Sequence, residues 1–440
     1  MMKKYITTIG TVILLTLISC EKILDVQPTY YISAEEAITN RDGAYNALTG
    51  VYDGLQQTGL YGRYMVIIPG VAADNLDWKG TTQEYGQFEN NTLLADNFIV
   101  EGIWSASYRL LNRLNFLLHK LPELDDMTPE EKDDVAAQCY FIRALAHFNL
   151  VRLFGAVPIK TQPTLDLSSD LNAGRSSVEA VYQQIEEDLA EAYGKISGNN
   201  PGFASNGAVT ALQAKVALYK QDYASAKEKA SEVINSGYQL ESTYADLFTQ
   251  AVGPEAIFTI LFNQQDGNRL AEYFSPTSMG GRYEVAPSED LIASFEEGDA
   301  RFSASIIGIP PYCIKYPDLV TMANNVHCIR LAEMFLIRAE AEARLQGSKP
   351  AIRNDINILR NRAQLEPIET EDYNELLQAI EQEYRSEFAF EGHRWFELIR
   401  TGRAIEVLAT VTGENQLLFP IPQVEIQNNT NPDMYQNPGY

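Results

Sequence analysis

Apolar residues recur three and four positions apart through most of the chain, the spacing of one buried helix face. Ala37, Ala44, Leu48, Val51 and Leu55 set such a stripe behind Ser33 and Glu36, which fit a capping box, so a helix is predicted from Ser33. Ile99, Ile103, Trp104, Leu110, Leu111, Leu114, Leu117 and Leu118 predict another over 98–121. The next start is sharper. Thr128 stands as N-cap, Pro129 as first helical residue and Glu131 as the box partner, and the pattern runs to Phe154. Phe141, Leu145 and Phe148 adjoin a second stripe of Ile142, Ala146 and Leu153, so this helix should lie central in the core. Gly155 permits the turn that ends it, and Pro158 blocks its resumption.

Ser176 and Glu179 fit a further capping box. Two helical pairs follow. Ala211, Ala214 and Ala217 of 206–220 face Tyr223, Ala226 and Ala230 of 222–236; Phe335, Ala339 and Ala343 of 330–346 face Ile352, Ile356 and Leu359 of 349–362. Small residues let paired helices approach closely, and the pairs resemble tetratricopeptide hairpins. Helix is predicted again over 371–391 and 393–400. Between these blocks the pattern breaks. Gly59, Gly62, Pro69, Gly70, Gly80 and Gly86 interrupt 57–97, which reads as a long loop region, the kind that carries function. Gly253-Pro254, Pro276, Gly280-Gly281, Pro287 and Pro310-Pro311 interrupt 238–327, with one β-like run from Ala256 to Phe262. Four prolines after Leu417 predict an extended tail. The expected fold is mostly α. Tetratricopeptide-like hairpins at 33–56, 98–155, 176–236 and 330–400 form an α-superhelical body, and 57–97 and 238–327 make a loop-rich, partly irregular ligand-binding half.

The first twenty residues follow a different logic. Lys3 and Lys4 precede an apolar run that ends in Leu17-Ile18-Ser19-Cys20. The run is short of the ~20 residues a membrane-spanning helix needs and has the layout of a secretory signal. Leu-x-Ser-Cys resembles a bacterial lipobox. Residues 1–19 are then a signal peptide, and Cys20 carries lipid on its thiol and its new amino group. An ordinary signal with an incidental cysteine is the plainer alternative.

Charge narrows the partners. The chain of 440 residues carries a formal net charge of −25. So acidic a surface argues against nucleic acid, which needs a basic face, and against docking on anionic lipid through basic residues. Membrane contact is expected through the lipid alone. Cys139, Cys313 and Cys328 show no Cys-x-x-Cys spacing, so no zinc site is expected. Cys139 reads as a core thiol, and a Cys313–Cys328 bridge is an open alternative for an exported protein.

The four histidines lack metal-binding helical spacing, and neither a Gly-x-Ser-x-Gly nor a P-loop occurs. No catalytic residues, cofactor or metal are expected. Binding chemistry is easier to find. Sugars pack C–H faces on aromatic rings while polar side chains take their hydroxyls. The first irregular region offers Tyr61, Tyr64, Trp78 and Tyr85, with Asp74, Asn75 and Asp77 beside the tryptophan; the second offers Tyr273, Arg282 and Tyr283. Trp78 leads, because Asn75-Leu76-Asp77-Trp78-Lys79-Gly80 gives it no apolar period to pack into. Trp104 and Trp395 sit in helical stripes and read as core.

Five stretches, in order, resemble one family. They are Leu24-Asp25-Val26-Gln27-Pro28 after the lipobox; Phe141-Ile142-Arg143-Ala144-Leu145 with Phe154-Gly155-Ala156-Val157-Pro158; Arg330-Leu331-Ala332-Glu333-Met334; Glu387-Phe388-Ala389-Phe390-Glu391-Gly392-His393-Arg394-Trp395; and Phe419-Pro420-Ile421-Pro422. Together they resemble the SusD/RagB outer-membrane lipoproteins of Bacteroidetes. The resemblance implies one domain over 20–440, lipid-anchored at the cell surface, that is not an enzyme. It implies capture of oligosaccharide and delivery to a SusC-like TonB-dependent barrel. A peptide-binding member, or a helical-repeat scaffold whose aromatic loops pack inward, are the alternatives. Glu383-Tyr384-Arg385 departs from the family's usual Glu-Arg-Arg, which puts one expected ion pair in doubt.

Overall fold

Helix α1 (Arg41–Leu55) starts at Asn40, whose side chain accepts the Gly43 amide. The computed structural model describes residues 37–165, 171–249 and 252–440. The predicted Ser33 cap and Cys20 therefore lie outside the described residues. α4 (Phe98–Lys120) starts at Asn97, whose side chain takes the Ile99 and Val100 amides. Between α1 and α4 come α2 (Tyr64–Val71), strand β1 (Leu76–Trp78) and α3 (Gln83–Glu89). The expectation of a loop over 57–97 is thus corrected. Every residue of α2 is buried, and its glycine and proline sit inside a helix that packing holds against their low propensity.

α5 (Pro129–Phe154) carries the predicted Thr128–Glu131 box and ends at Gly155, whose φ is +72°. Its second half is buried on all sides, which explains the wide apolar arc. Of the polar side chains buried with it, Arg143 is met by Asp188 of α6 (Val178–Ala192) at 2.6 and 2.9 Å. α6 is capped by Ser177, one residue later than predicted, because Ser176 instead donates its amide to Val157. α5 and α6, α7 (Asn206–Tyr219) and α8 (Tyr223–Ile234), and α9 (Leu331–Arg344) and α10 (Lys349–Arg362) pack as pairs, and α8 packs on α9. α11 (Tyr373–Glu387) lies on α9, and α12 (Arg394–Arg400) lies on α2. Helical pairs stacked in this way are the tetratricopeptide-like body. The tail is not wholly extended, since α13 (Gln423–Asn428) interrupts it.

Among the described residues, three two-stranded antiparallel sheets run through the irregular half. β1 pairs with β3 (Val285–Pro287), β2 (Ala256–Ile260) with β6 (Val326–Arg330), and β4 (Ile306–Ile307) with β5 (Tyr312–Cys313). Cys139, Cys313 and Cys328 are all free thiols, so the Cys313–Cys328 bridge does not form.

A buried ion network joins the strands to the helices. Arg330, at the end of β6, reaches Glu255 at 2.7 Å, Glu387 at 2.9 Å and Glu391 at 2.8 Å. Arg362 pairs with Glu255 and Glu387, Lys315 with Glu391 at 2.8 Å, and Arg301 with Glu383 at 2.6 Å. Burial alone would raise the Glu391 carboxyl, but the charges of Arg330 and Lys315 overcome it and hold Glu391 below the usual carboxylate range. Glu383 keeps its ion pairs despite the tyrosine beside it. Tyr384 packs inward, and Arg385 turns to Asp74 and Asp290. Gly392, at φ +77°, ends this stretch because a Cβ there would lie 2.1 Å from the Met65 carbonyl oxygen.

Candidate functional site: the surface around Trp78

Strand β1 exists because β3 supplies its partner. Trp78 lies opposite Val285 and Asp77 opposite Ala286, and the Lys79 and Gly80 amides donate to the Glu284 carbonyl. Trp78 is partly exposed, unlike Trp104 and Trp395, which are both buried. Its indole Nε1–H donates to Glu284 Oε1 at 3.2 Å, and its amide donates to Glu89 at 2.9 Å. Gly86 of α3 lies against the six-membered ring, where an added Cβ would come within 2.8 Å of Cζ3. The ring is therefore fixed on two sides, and the residue, though packed against the core, stays partly exposed.

Glu284 also accepts the Thr82 amide at 2.9 Å, and its second oxygen lies 3.6 Å from the Arg282 guanidinium. Arg282 is exposed and sits 5.2 Å above the Tyr273 ring. On the same strand pair, Lys79 donates to Asp77 at 2.9 Å. That bond and the nearby charges of Asp77, Glu89 and Tyr283 raise the Lys79 pKa. Tyr283, partly buried, donates its hydroxyl to the Pro311 carbonyl at 2.9 Å; burial, and the Asp77 charge after it, raise its pKa. Two small clusters result: Trp78 with Glu284 and Arg282, and Asp77 with Lys79 and Tyr283.

The other expected ligand residues point inward. Tyr61 is buried and accepts from Asn149 at 3.0 Å; Tyr64 is buried beneath Arg63. Tyr85 and Tyr273 are buried with ring centroids 6.2 Å apart, and Arg63 stacks 4.2 Å from Tyr273 on its way to the surface. Asp74 is bound by Arg394 at 2.7 and 2.8 Å and by Arg385 at 3.1 Å. Burial would raise its carboxyl, but the Arg394 bond and the charges of Arg394 and Arg385 together overcome that and lower it. Asn75 is buried and accepts from Arg385 at 2.9 Å. Asp74 and Asn75 thus fasten the β1 segment to α11 and α12, and Tyr61, Tyr64, Tyr85 and Tyr273 belong to the core. The arginines at 385 and 394 outbid solvent for these polar groups, which composition alone does not reveal.

Three contributors are not assigned to the site by the sequence: Glu284, Lys79 and Gly86. Lys79 was visible as the neighbour of Trp78. Glu284 stands 206 positions away from Trp78 and was signalled only by adjoining Arg282 and Tyr283 in the second irregular region. Among the described residues no group of three or more His, Cys, Asp or Glu side chains is placed to hold a metal ion, and no helix is long and apolar enough to cross a membrane. His147, His327 and His393 are largely buried, each with its pKa lowered first by burial.

Residues 32–218 match a family model described as starch-binding associating with outer membrane, and residues 320–440 match the model of the SusD family. A SusD-like protein of Formosa agariphila is 26% identical, across 96% of this chain and 97% of its own length. The starch-binding protein SusD of Bacteroides thetaiotaomicron is 24% identical across 75% of this chain and 76% of its own. A solved laminarin-binding SusD-like protein superposes with a TM-score of 0.82 at 27% identity, covering 91% of this chain and all of that one. With the two matched stretches, 32–218 and 320–440, and the helical body agreeing, the protein belongs to the SusD family.

Proposed function

We propose that this protein binds oligosaccharide at the surface around Trp78 and passes it to a SusC-like TonB-dependent barrel in the outer membrane. The observation that carries the reading is the partly exposed Trp78, its ring fixed by Glu284 and Gly86 and flanked by charged and hydroxyl groups. A rigid aromatic plane loses little freedom when a sugar ring packs on it. Arg282 and Lys79 offer donors and Asp77 an acceptor, and Tyr283, whose hydroxyl hydrogen goes to the Pro311 carbonyl, offers its hydroxyl oxygen as a second acceptor. The laminarin-binding relative and the starch-binding relative support a glycan as the ligand class. A pure scaffold would pack its aromatic segments inward. Tyr85 does so, whereas Trp78 stays partly exposed.

Lipid on Cys20 would hold the protein at the membrane. The site carries no catalytic arrangement in this reading; its work is capture and transfer.

Isothermal titration of the soluble chain with laminarin and starch oligosaccharides tests the binding step. Trp78→Ala is expected to weaken the bound glycan by about 1–3 kcal/mol with an unchanged circular-dichroism spectrum. Silence toward both, and toward a wider glycan panel, together with binding of a peptide pool, would replace the sugar with a peptide. Unchanged affinity in Trp78→Ala would move the site elsewhere.

A further inference from the structure

A second concave surface shares no residue with the Trp78 clusters. One wall is a single face of α4, where Tyr108, Arg109, Asn112 and Arg113 follow helical spacing. Lys160, beyond the end of α5, lines the groove as well, and Glu425 of α13 lies in it. The groove holds about 620 Å³, within the size range of a small-ligand site.

Its charge runs against that of the molecule. The whole chain carries −25, yet the groove gathers three cations, and Glu425 is the one carboxylate among its described lining residues. Glu425 accepts a hydrogen bond from Trp104, and burial raises its pKa. Arg113 already donates to the Gly50 carbonyl and to Asp53. Arg109 is different: it is exposed, and among the described residues no hydrogen bond, ion pair or ring contact engages it. Next to it, Asn112 accepts the Thr164 amide at 2.7 Å through Oδ1, which leaves its NH2 group for a ligand. Tyr108 anchors its hydroxyl on the Pro158 carbonyl at 2.9 Å, so its ring is held in place along the groove.

We propose that this groove is a second saccharide site, for an acidic oligosaccharide whose carboxylate or sulfate ester pairs with Arg109 while a sugar face lies on Tyr108. A planar guanidinium suits either anion, since each presents two oxygens to its fork. A neutral sugar would leave Arg109 without its partner. An acidic one meets net repulsion over most of this protein and finds relief here.

The test is titration of the soluble chain with trigalacturonate, with a sulfated trisaccharide and with a neutral trisaccharide of equal length, at low and moderate salt. The expected result is binding of at least one anionic probe, weaker at higher salt. Arg109→Glu should weaken it roughly tenfold or more, and Arg109→Ala somewhat less. Whichever anionic probe binds identifies the acid group. Trp78→Ala should leave this binding unchanged, which separates the groove from the Trp78 surface if either fails. Both variants lie on an exposed helix face, and an unchanged melting curve checks that they fold. No binding of either anionic probe, equal binding of the neutral one, or indifference to both Arg109 variants would overturn the proposal.

Discussion

The carboxylate of Glu284 holds the indole of Trp78 from the neighbouring strand, 3.2 Å from oxygen to nitrogen. The ring's orientation is therefore set by a residue from the other irregular region. Glu284→Ala should loosen the ring and weaken glycan binding, though less than Trp78→Ala. Because Trp104 and Trp395 are buried, a red-shifted fluorescence emission in Glu284→Ala would report Trp78 alone. An unshifted spectrum with unaltered affinity would remove Glu284 from this role.

Gly86 gives the same ring its room. An alanine there would put Cβ 2.8 Å from Cζ3 and 2.9 Å from Cε3 of Trp78. Alanine also favours the helix by about 1 kcal/mol, which offsets part of the crowding. Gly86→Ala is thus expected to lower ligand affinity while the melting temperature moves little. A large drop in melting temperature would instead mark Gly86 as a packing residue only.

The buried network predicts the opposite balance. Arg330→Met leaves Glu255, Glu387 and Glu391 with one cation fewer, and losing one partner of a buried pair costs about 3–5 kcal/mol. Urea denaturation should show that loss. If the variant matches the parent protein, the network is dispensable to stability.

Histidine burial gives a pH dependence. His147 donates from Nδ1 to the Arg143 carbonyl at 3.1 Å, and Nε2 accepts the Lys160 amide at 3.4 Å, so the neutral ring fits and the charged one does not. Burial first, and the Arg143 charge second, push its pKa down to about 4. Between that value and the ordinary ~6.5, the unfolded chain binds a proton that the folded chain does not. The stability His147 contributes is full above the ordinary value and declines as pH falls, by roughly 2 kcal/mol at pH 5. Denaturation midpoints should fall from pH 7 to pH 5, and less steeply in His147→Gln. Equal slopes would mean that His147 does not titrate in this window.

The anchor has its own test. Cys20→Ala should release a folded protein that still binds glycan into the medium or periplasm. Retention of that variant in membranes lacking its barrel would argue against the lipid anchor.

Much of the helical body was legible because its signals are local. The Thr128–Glu131 box, the paired alanines at 211, 214 and 217, and the double stripe of α5 each follow from residues a few positions apart. The Trp78 surface was less legible. Trp78 stood out as a tryptophan without an apolar period, and it is partly exposed. Its neighbours Asp74 and Asn75 read as ligand groups, yet arginines 310 and 320 positions later claim them. Tyr85 looked like one more loop aromatic until α3 and Tyr273 closed over it. Glycines made 57–97 look like loop, whereas Gly70 and Gly86 are there so that Leu76 and Trp78 can approach.

The double grip of Arg385 and Arg394 on Asp74 bears on how cargo moves. The segment that presents Trp78 is bolted to α11 and α12, and Ser288, just after β3, adds a bond to the Asp74 carbonyl at 2.6 Å. A glycan seated there loads the helical scaffold directly, with no soft flap between. On the proposed function, release of the glycan would then involve movement of the helical scaffold together with the site rather than of the β1 segment by itself.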